Sequence, residues 1–151
     1  MEAKENGSPV EILMVEDNPG DVLLMEEALR EGKLSNNLYI ANNGDEAMDF
    51  LKKRGKFKDA VRPDLIMLDL NLPRKDGREV LAEVKNDPEL KKIPIVIVTT
   101  SGSEEDIDKT YSLHANCYVT KPVGVRQFFE VVKNIESFWF SIVKLPSKAG
   151  K

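Results

Sequence analysis

A chain of 151 residues, with 41% apolar and 32% charged side chains, is long enough for one domain with a sizeable core and polar enough to stay in water. Its net charge of −4 argues against nucleic acid as a main partner, because phosphate recognition needs clustered Lys and Arg, and no apolar run is long enough to span a membrane. The lone cysteine, Cys117, cannot close an internal disulfide, and the charged start lacks a signal-peptide core, so a reducing, cytoplasmic setting is expected.

Residues 1–9 include Gly7-Ser8-Pro9 and read as a short disordered lead. Ile12-Leu13-Met14-Val15 then has strand length and runs into Glu16-Asp17. Asn18-Pro19 opens the first helix, a capping residue followed by proline at the first helical position. Val22, Met25 and Leu29 share one face of that helix, and Gly32 closes it. Leu38-Tyr39-Ile40 is a short second strand. Asn43-Gly44 starts a helix through Ala47, Phe50 and Leu51 that stops near Gly55, so Lys52-Lys53-Arg54 reads as a solvated helix end.

Leu65-Ile66-Met67-Leu68, bounded by Pro63 and Pro73, predicts a third strand buried on both faces and leads into Asp69-Leu70-Asn71-Leu72-Pro73. After a turn at Asp76-Gly77, the residues Val80, Leu81 and Val84 have helical spacing and stop near Pro88. Lys91-Lys92 is again read as solvated. Ile95-Val96-Ile97-Val98 is the fourth strand, ending in Thr99-Thr100-Ser101. Ser103-Glu104-Glu105-Asp106 looks like a capping box for a helix carrying Ile107 and Tyr111. His114, next on that spacing, reads as a surface or packing residue.

Cys117-Tyr118-Val119-Thr120 is the fifth strand, running into Lys121-Pro122, with Cys117 as a small buried hydrophobe. A last helix from about Val125 carries Phe128, Phe129, Val132, Ile135 and Trp139. Five strands, each followed by a helix, require right-handed crossovers and a doubly wound five-stranded parallel sheet. One domain is expected over 10–135, with 136–151 a C-terminal helix extension and tail of the same domain.

Ligands bind beyond the carboxyl ends of the strands in such sheets. Glu16, Asp17, Asp69, Thr99 and Lys121 all fall there. Two carboxylates about 4 Å apart repel by roughly 4 kcal/mol at an effective dielectric of 20, so three of them need protons or a cation. Hard oxygen donors suit Mg²⁺, and a chain with one His and one Cys is poorly equipped for zinc. One carboxylate can then attack a phosphoryl group, with the Lys121 ammonium, the Thr99 hydroxyl and backbone N–H groups balancing the developing charge.

The sequence has neither a GxxxxGK[ST] loop nor a GxGxxG after the first strand. The donor must therefore bring an activated phosphoryl, as a phosphohistidine or a small acyl phosphate does. Taken singly, Asp69 could be a turn residue, Lys121 a snorkelling surface lysine and Tyr118 a strand aromatic. Their order along the chain favours a site.

An acid pair after strand one, Asp after strand three, Thr after strand four and Lys-Pro after strand five together resemble the receiver domains of two-component response regulators. The resemblance covers about residues 10 to 135 and implies a flavodoxin-like receiver fold. It implies Asp69 as phosphoacceptor, with the Glu16, Asp17 and Asp69 carboxylates and the Asn71 backbone carbonyl around Mg²⁺. Lys121 would pair with the phosphoryl group, the Lys121-Pro122 peptide bond would be cis, and Thr99 with Tyr118 would form the switch pair. Asn71 and Ser101 occupy positions that tune phosphoryl hydrolysis. The family's acidic pair often reads Asp-Asp; here it is Glu16-Asp17, a variant that should still bind metal.

The stretch from Asp69 to Glu83, Leu113 to Tyr118 and Ile135 to Trp139 is similar to stand-alone regulators that partner phytochrome-type histidine kinases. The implied protein is a single-domain response regulator that takes a phosphoryl group from a sensor kinase and signals by protein contact, without turnover catalysis. A kinase with another sensory domain fits equally. Phe128, Phe129, Phe138, Trp139 and Phe140 overfill one helical stripe, and point to a homodimer through the last helix or to a satellite core. Two other readings stand beside this one. The first is a receiver-like module working unphosphorylated; the second is a haloacid-dehalogenase-type phosphatase, whose second acid would here be Asn71.

Overall fold

The computed structural model describes residues 9–32, 35–100, 102–112, 115 and 117–121, together with 126, 130 and 133. Strands β1 (Val10–Val15), β2 (Asn36–Ala41), β3 (Leu65–Leu68), β4 (Ile95–Thr99) and β5 (Cys117–Thr120) alternate with helices α1 (Pro19–Glu31), α2 (Gly44–Leu51), α3 (Gly77–Lys85) and α4 (Glu104–Ser112). All pairings are parallel, in the order β2-β1-β3-β4-β5. That is the flavodoxin-like order, whose switch point lies between β1 and β3.

The two faces of the sheet explain why the inner strands read as unbroken apolar runs. Successive side chains point to opposite faces. Leu13, Val15, Ile66, Leu68, Ile95 and Ile97 pack with Ala47, Met48, Leu81 and Val84 on the α2–α3 side. Ile12, Met14, Leu65, Met67, Val96 and Val98 share the other face, where Met25, Ala28 and Leu29 of α1 cover them. Both faces are roofed by helices, so neither parity can be polar.

The helix starts follow their local chemistry. Asn18 caps α1 by accepting from the Asp21 N–H at 3.1 Å, with Pro19 next, as expected. Asn43 caps α2 through the Glu46 N–H. The turn expected at Asp76-Gly77 is instead the first turn of α3: Asp76 is the N-cap, and it forms a reciprocal capping box with Glu79. At the head of α4, Ser103 Oγ accepts from the Asp106 N–H. Two boundaries differ from expectation. Strand β2 runs six residues rather than three, because as an edge strand it is half-buried and carries asparagines. Helix α2 ends at Leu51, where Lys53 adopts φ 57° and the chain turns into a 3-10 segment at Gly55–Phe57.

A second 3-10 turn, Leu90–Lys92, follows α3. Four helices are seen among the described residues against five expected. The fifth lies largely outside them, although Arg126, Glu130 and Lys133 within its range are helical. Also outside are residues 1–8, His114, Pro122 and its peptide bond, the Cys117 side chain and the aromatics from Phe128 onward. Among the described residues, no helix is long and apolar enough to cross a membrane.

Candidate functional site

Strand register carries the chemistry to one edge. Val15 pairs with Leu68, so the residues after each strand leave the sheet side by side. The ladder continues one step further: the Glu16 N–H bonds to Ala41 O at 2.9 Å and the Asp69 N–H to Val15 O at 3.1 Å. At the other side, the Lys121 N–H bonds to Thr99 O at 2.7 Å. These main-chain bonds align the carboxyl ends of all five strands along the edge that holds the β1/β3 switch point.

Glu16, Asp17 and Asp69 there bring carboxylate oxygens within 4.8 Å of one another. Glu16 is 2% exposed and Asp69 7%, whereas Asp17 faces solvent. Asp69 Oδ1 accepts the Thr99 hydroxyl at 2.6 Å and the Asn71 N–H at 3.1 Å. Lys121 Nζ donates to Glu16 Oε1 at 2.6 Å, to Asp21 Oδ2 at 2.6 Å and to Asp69 Oδ2 at 3.4 Å. A cleft of about 380 Å³ opens above these groups, with Asn71 and Thr100 also on its wall.

Electrostatics follow from the crowding. Burial, then the neighbouring Asp69 charge, pushes the Glu16 carboxyl up to about 7 against the pull of Lys121. Burial works against the Lys121 ammonium, but the hydrogen bonds it donates to Asp21 and Glu16 and the charge of Asp69 outweigh it and raise its pKa. A carboxylate group this close, with two of its three members buried, fits a hard divalent cation better than it fits three free charges.

The site residues expected from the sequence thus come together, with Tyr118 one step removed. Tyr118 pairs with Ile97 in the sheet and packs partly buried against the α2–α3 core. Thr99 lies two residues beyond Ile97, on the same face. Two neighbours went unread in the sequence. Asp21 looks like an ordinary first-turn helix acid, and only tertiary structure brings Lys121 to it across 100 residues. Arg78 gives a fork of bonds to Asp106 at 2.8 and 2.7 Å, another pair to Asp76, and one to the Leu70 carbonyl at 3.3 Å. It therefore ties the segment after Asp69 to the first turn of α4. Its spacing from Asp106 left no sequence signal.

Gly77 is needed for the approach of α3. A Cβ at that position would lie 2.2 Å from the Asp69 carbonyl oxygen and 2.7 Å from Leu70 Cα, so only glycine lets the helix start against the acceptor segment.

The chain is similar to known proteins in sequence and in fold. Residues 12–133 match the response regulator receiver domain family. The chain is 48% identical to the response regulator Rcp1 of Synechocystis sp. over 95% of its own length and 97% of that protein. The Mn²⁺-bound form of Rcp1 superposes with a TM-score of 0.84, at 48% identity, covering 89% of this chain and 97% of that one. The phosphorylated cyanobacterial phytochrome response regulator RcpA gives a TM-score of 0.84 at 50% identity, over 89% and 96% of the two chains. The bacteriophytochrome response regulator AtBRR gives 0.72 at 40% identity, over 87% and 96%. With the match running from the first strand into the last expected helix, and nearly half the residues shared with Rcp1, the chain belongs to the response regulator receiver family.

Proposed function

We propose that this response regulator takes its phosphoryl group on Asp69, from the phosphohistidine of a sensor histidine kinase, in a Mg²⁺-dependent reaction. The observation that carries the reading is the buried Asp69 carboxylate, held by Thr99 and Lys121 within 4.8 Å reach of the Glu16 and Asp17 carboxylates. An oxygen of Asp69 attacks phosphorus, the P–N bond breaks, and the histidine nitrogen leaves with the electron pair. The product is an acyl phosphate.

Glu16, Asp17 and Asp69 would hold the cation with the Asn71 carbonyl, and bound there it would neutralise phosphoryl oxygens. The Lys121 ammonium, 3.4 Å from Asp69 Oδ2, supplies a second positive charge, raised in pKa and so charged throughout the neutral range. Thr99, now on Asp69 Oδ1, is placed to transfer its hydroxyl bond to a phosphoryl oxygen. Tyr118, on the same face, would follow it inward as the second member of the switch.

The receiver unit spans 10–135 on this reading, with 136–151 as its extension, and the chain forms a homodimer through the last helix region. The kinase is of phytochrome type, an inference supported by the kinship to RcpA and AtBRR. The protein works as a phosphoacceptor without steady-state turnover of phosphomonoesters.

Intact mass after incubation with acetyl phosphate tests this. One added phosphoryl is expected for the wild type with Mg²⁺, and none without Mg²⁺ or in Asp69→Asn. A gain that survives Asp69→Asn overturns the assignment; no gain in protein shown to bind the metal points to strict dependence on a kinase or to a module working unphosphorylated.

A further inference from the structure

Asp21 has no part in the reaction described above, yet its Oδ2 accepts from Lys121 Nζ at 2.6 Å, as short as the bond to Glu16 and well inside the 3.4 Å contact to Asp69. The Lys121 side chain is 5% exposed, and an ammonium so buried needs paired carboxylates. Two of its three partners, Glu16 and Asp69, belong to the carboxylate group that fits a divalent cation. Asp21 does not belong to it.

A cation and an ammonium repel each other and compete for the same oxygens. Loading the triad with metal would leave Lys121 short of partners if Glu16 and Asp69 were all it had. Asp21 supplies the missing one from a rigid place. It lies in the first turn of α1, its own N–H is held by Asn18 Oδ1 at 3.1 Å, and its side chain is 25% exposed.

We propose that Asp21 is a positioning residue that retains the Lys121 ammonium on the α1 side of the site, so that a divalent cation takes the Glu16 and Asp69 oxygens without expelling the lysine. The inference rests on the cation site described under the proposed function. When the phosphoryl group arrives, the ammonium is already at the cleft and has a short swing to make. Asp21 acts on the cation through Lys121 and touches neither the metal nor the phosphoryl group.

The test is a double-mutant cycle read by calorimetric titration with Mg²⁺ and Mn²⁺. Asp21→Asn is expected to weaken cation binding about three-fold or more while Lys121 is present, the scale of coupling between groups in direct contact. In the Lys121→Gln background the same substitution should lose most of that effect. An equal factor in both backgrounds overturns the inference, since Asp21 would then act only by its charge at long range.

Asp21→Glu keeps the charge and is expected to bind nearly as the wild type does; an affinity as low as that of Asp21→Asn also overturns it. Thermal melts of the cation-free Lys121→Gln protein with and without Asp21→Asn isolate the acid's effect on its own helix macrodipole, since the Lys121 ammonium is absent from both. A wild-type chain that binds neither cation defeats the metal reading itself, an outcome distinct from an additive cycle.

Discussion

Replacing Gly77 by alanine should destabilise this protein, although the same change in most helices is favourable. Alanine exceeds glycine by up to about 1 kcal/mol in a helix interior, and less at a first position. Here the added Cβ would sit 2.2 Å from Asp69 O, 2.7 Å from Leu70 Cα and 3.0 Å from Asp69 C, all backbone atoms that cannot rotate away. Ordinary contact begins at 3.4 Å, so α3 and the acceptor segment must separate by roughly 1 Å. That movement strains the Gly77 N–H bond to Leu70 O, now 3.0 Å, and the Arg78 bond to the same carbonyl.

Overpacking of this kind costs about 1–3 kcal/mol and a weakened hydrogen bond about 1 kcal/mol, so the net loss should be about 2 kcal/mol. The displaced atoms include the Asp69 backbone. A misplacement near 1 Å can reduce a positioned reaction about 100-fold, so phosphorylation should slow well beyond the stability effect. Urea unfolding and time-resolved intact mass with acetyl phosphate measure the two quantities. A Gly77→Ala protein as stable as the wild type, and phosphorylated at the same rate, would refute the packing argument.

Glu16 predicts a pH dependence in the cation-free protein. Its folded pKa of about 7 lies above the ordinary 4.5, so its contribution to stability is fully present below pH 4.5 and lost as pH rises through 7. The loss is at most about 3 kcal/mol, and Glu16→Gln should flatten the profile; superimposable profiles for the two proteins would count against it. Arg78→Ala should cost about 2 kcal/mol, the scale of charge-assisted hydrogen bonds between side chains only 24% and 17% exposed. It should also speed amide exchange in the first turn of α4, and unchanged exchange there would mean that Arg78 does not tie that helix down. Thr99→Ala should leave Asp69 phosphorylation within a few-fold of wild type, yet weaken any phosphorylation-dependent dimer seen by light scattering; an unaltered dimer response would remove Thr99 from the switch.

The order of strands and the residues at their ends were legible because the inner strands are buried on both faces. Burial forced Ile12–Val15, Leu65–Leu68 and Ile95–Val98 to be continuously apolar, so each departure into Glu16, Asp69 or Thr99 stood out. Caps such as Asn18 and Asn43 were readable for a related reason, since they answer to backbone donors a few residues away. Strand β2 was harder to bound. Half-buried at the sheet edge, it tolerates Asn36 and Asn37 within its ladder and shows only its middle. Asp76-Gly77 was read as a turn because the pair has turn chemistry, and the capping bond to Glu79 decided for a helix.

Local sequence, through burial and hydrogen-bonding periodicity, determined that a parallel sheet would carry three acids, a hydroxyl and an amine to one edge. Which of those groups touch depends on strand order and on distances between segments far apart in the chain. Placing β1 beside β3 put Glu16 against Asp69; the position of β5 carried Lys121 onto Asp21 as well as Glu16. The neighbouring places of β3 and β4, which α3 and α4 follow, brought Arg78 to Asp106. Such contacts have no period and no fixed spacing, because they are set by how whole elements pack, and so they exist only in the folded chain.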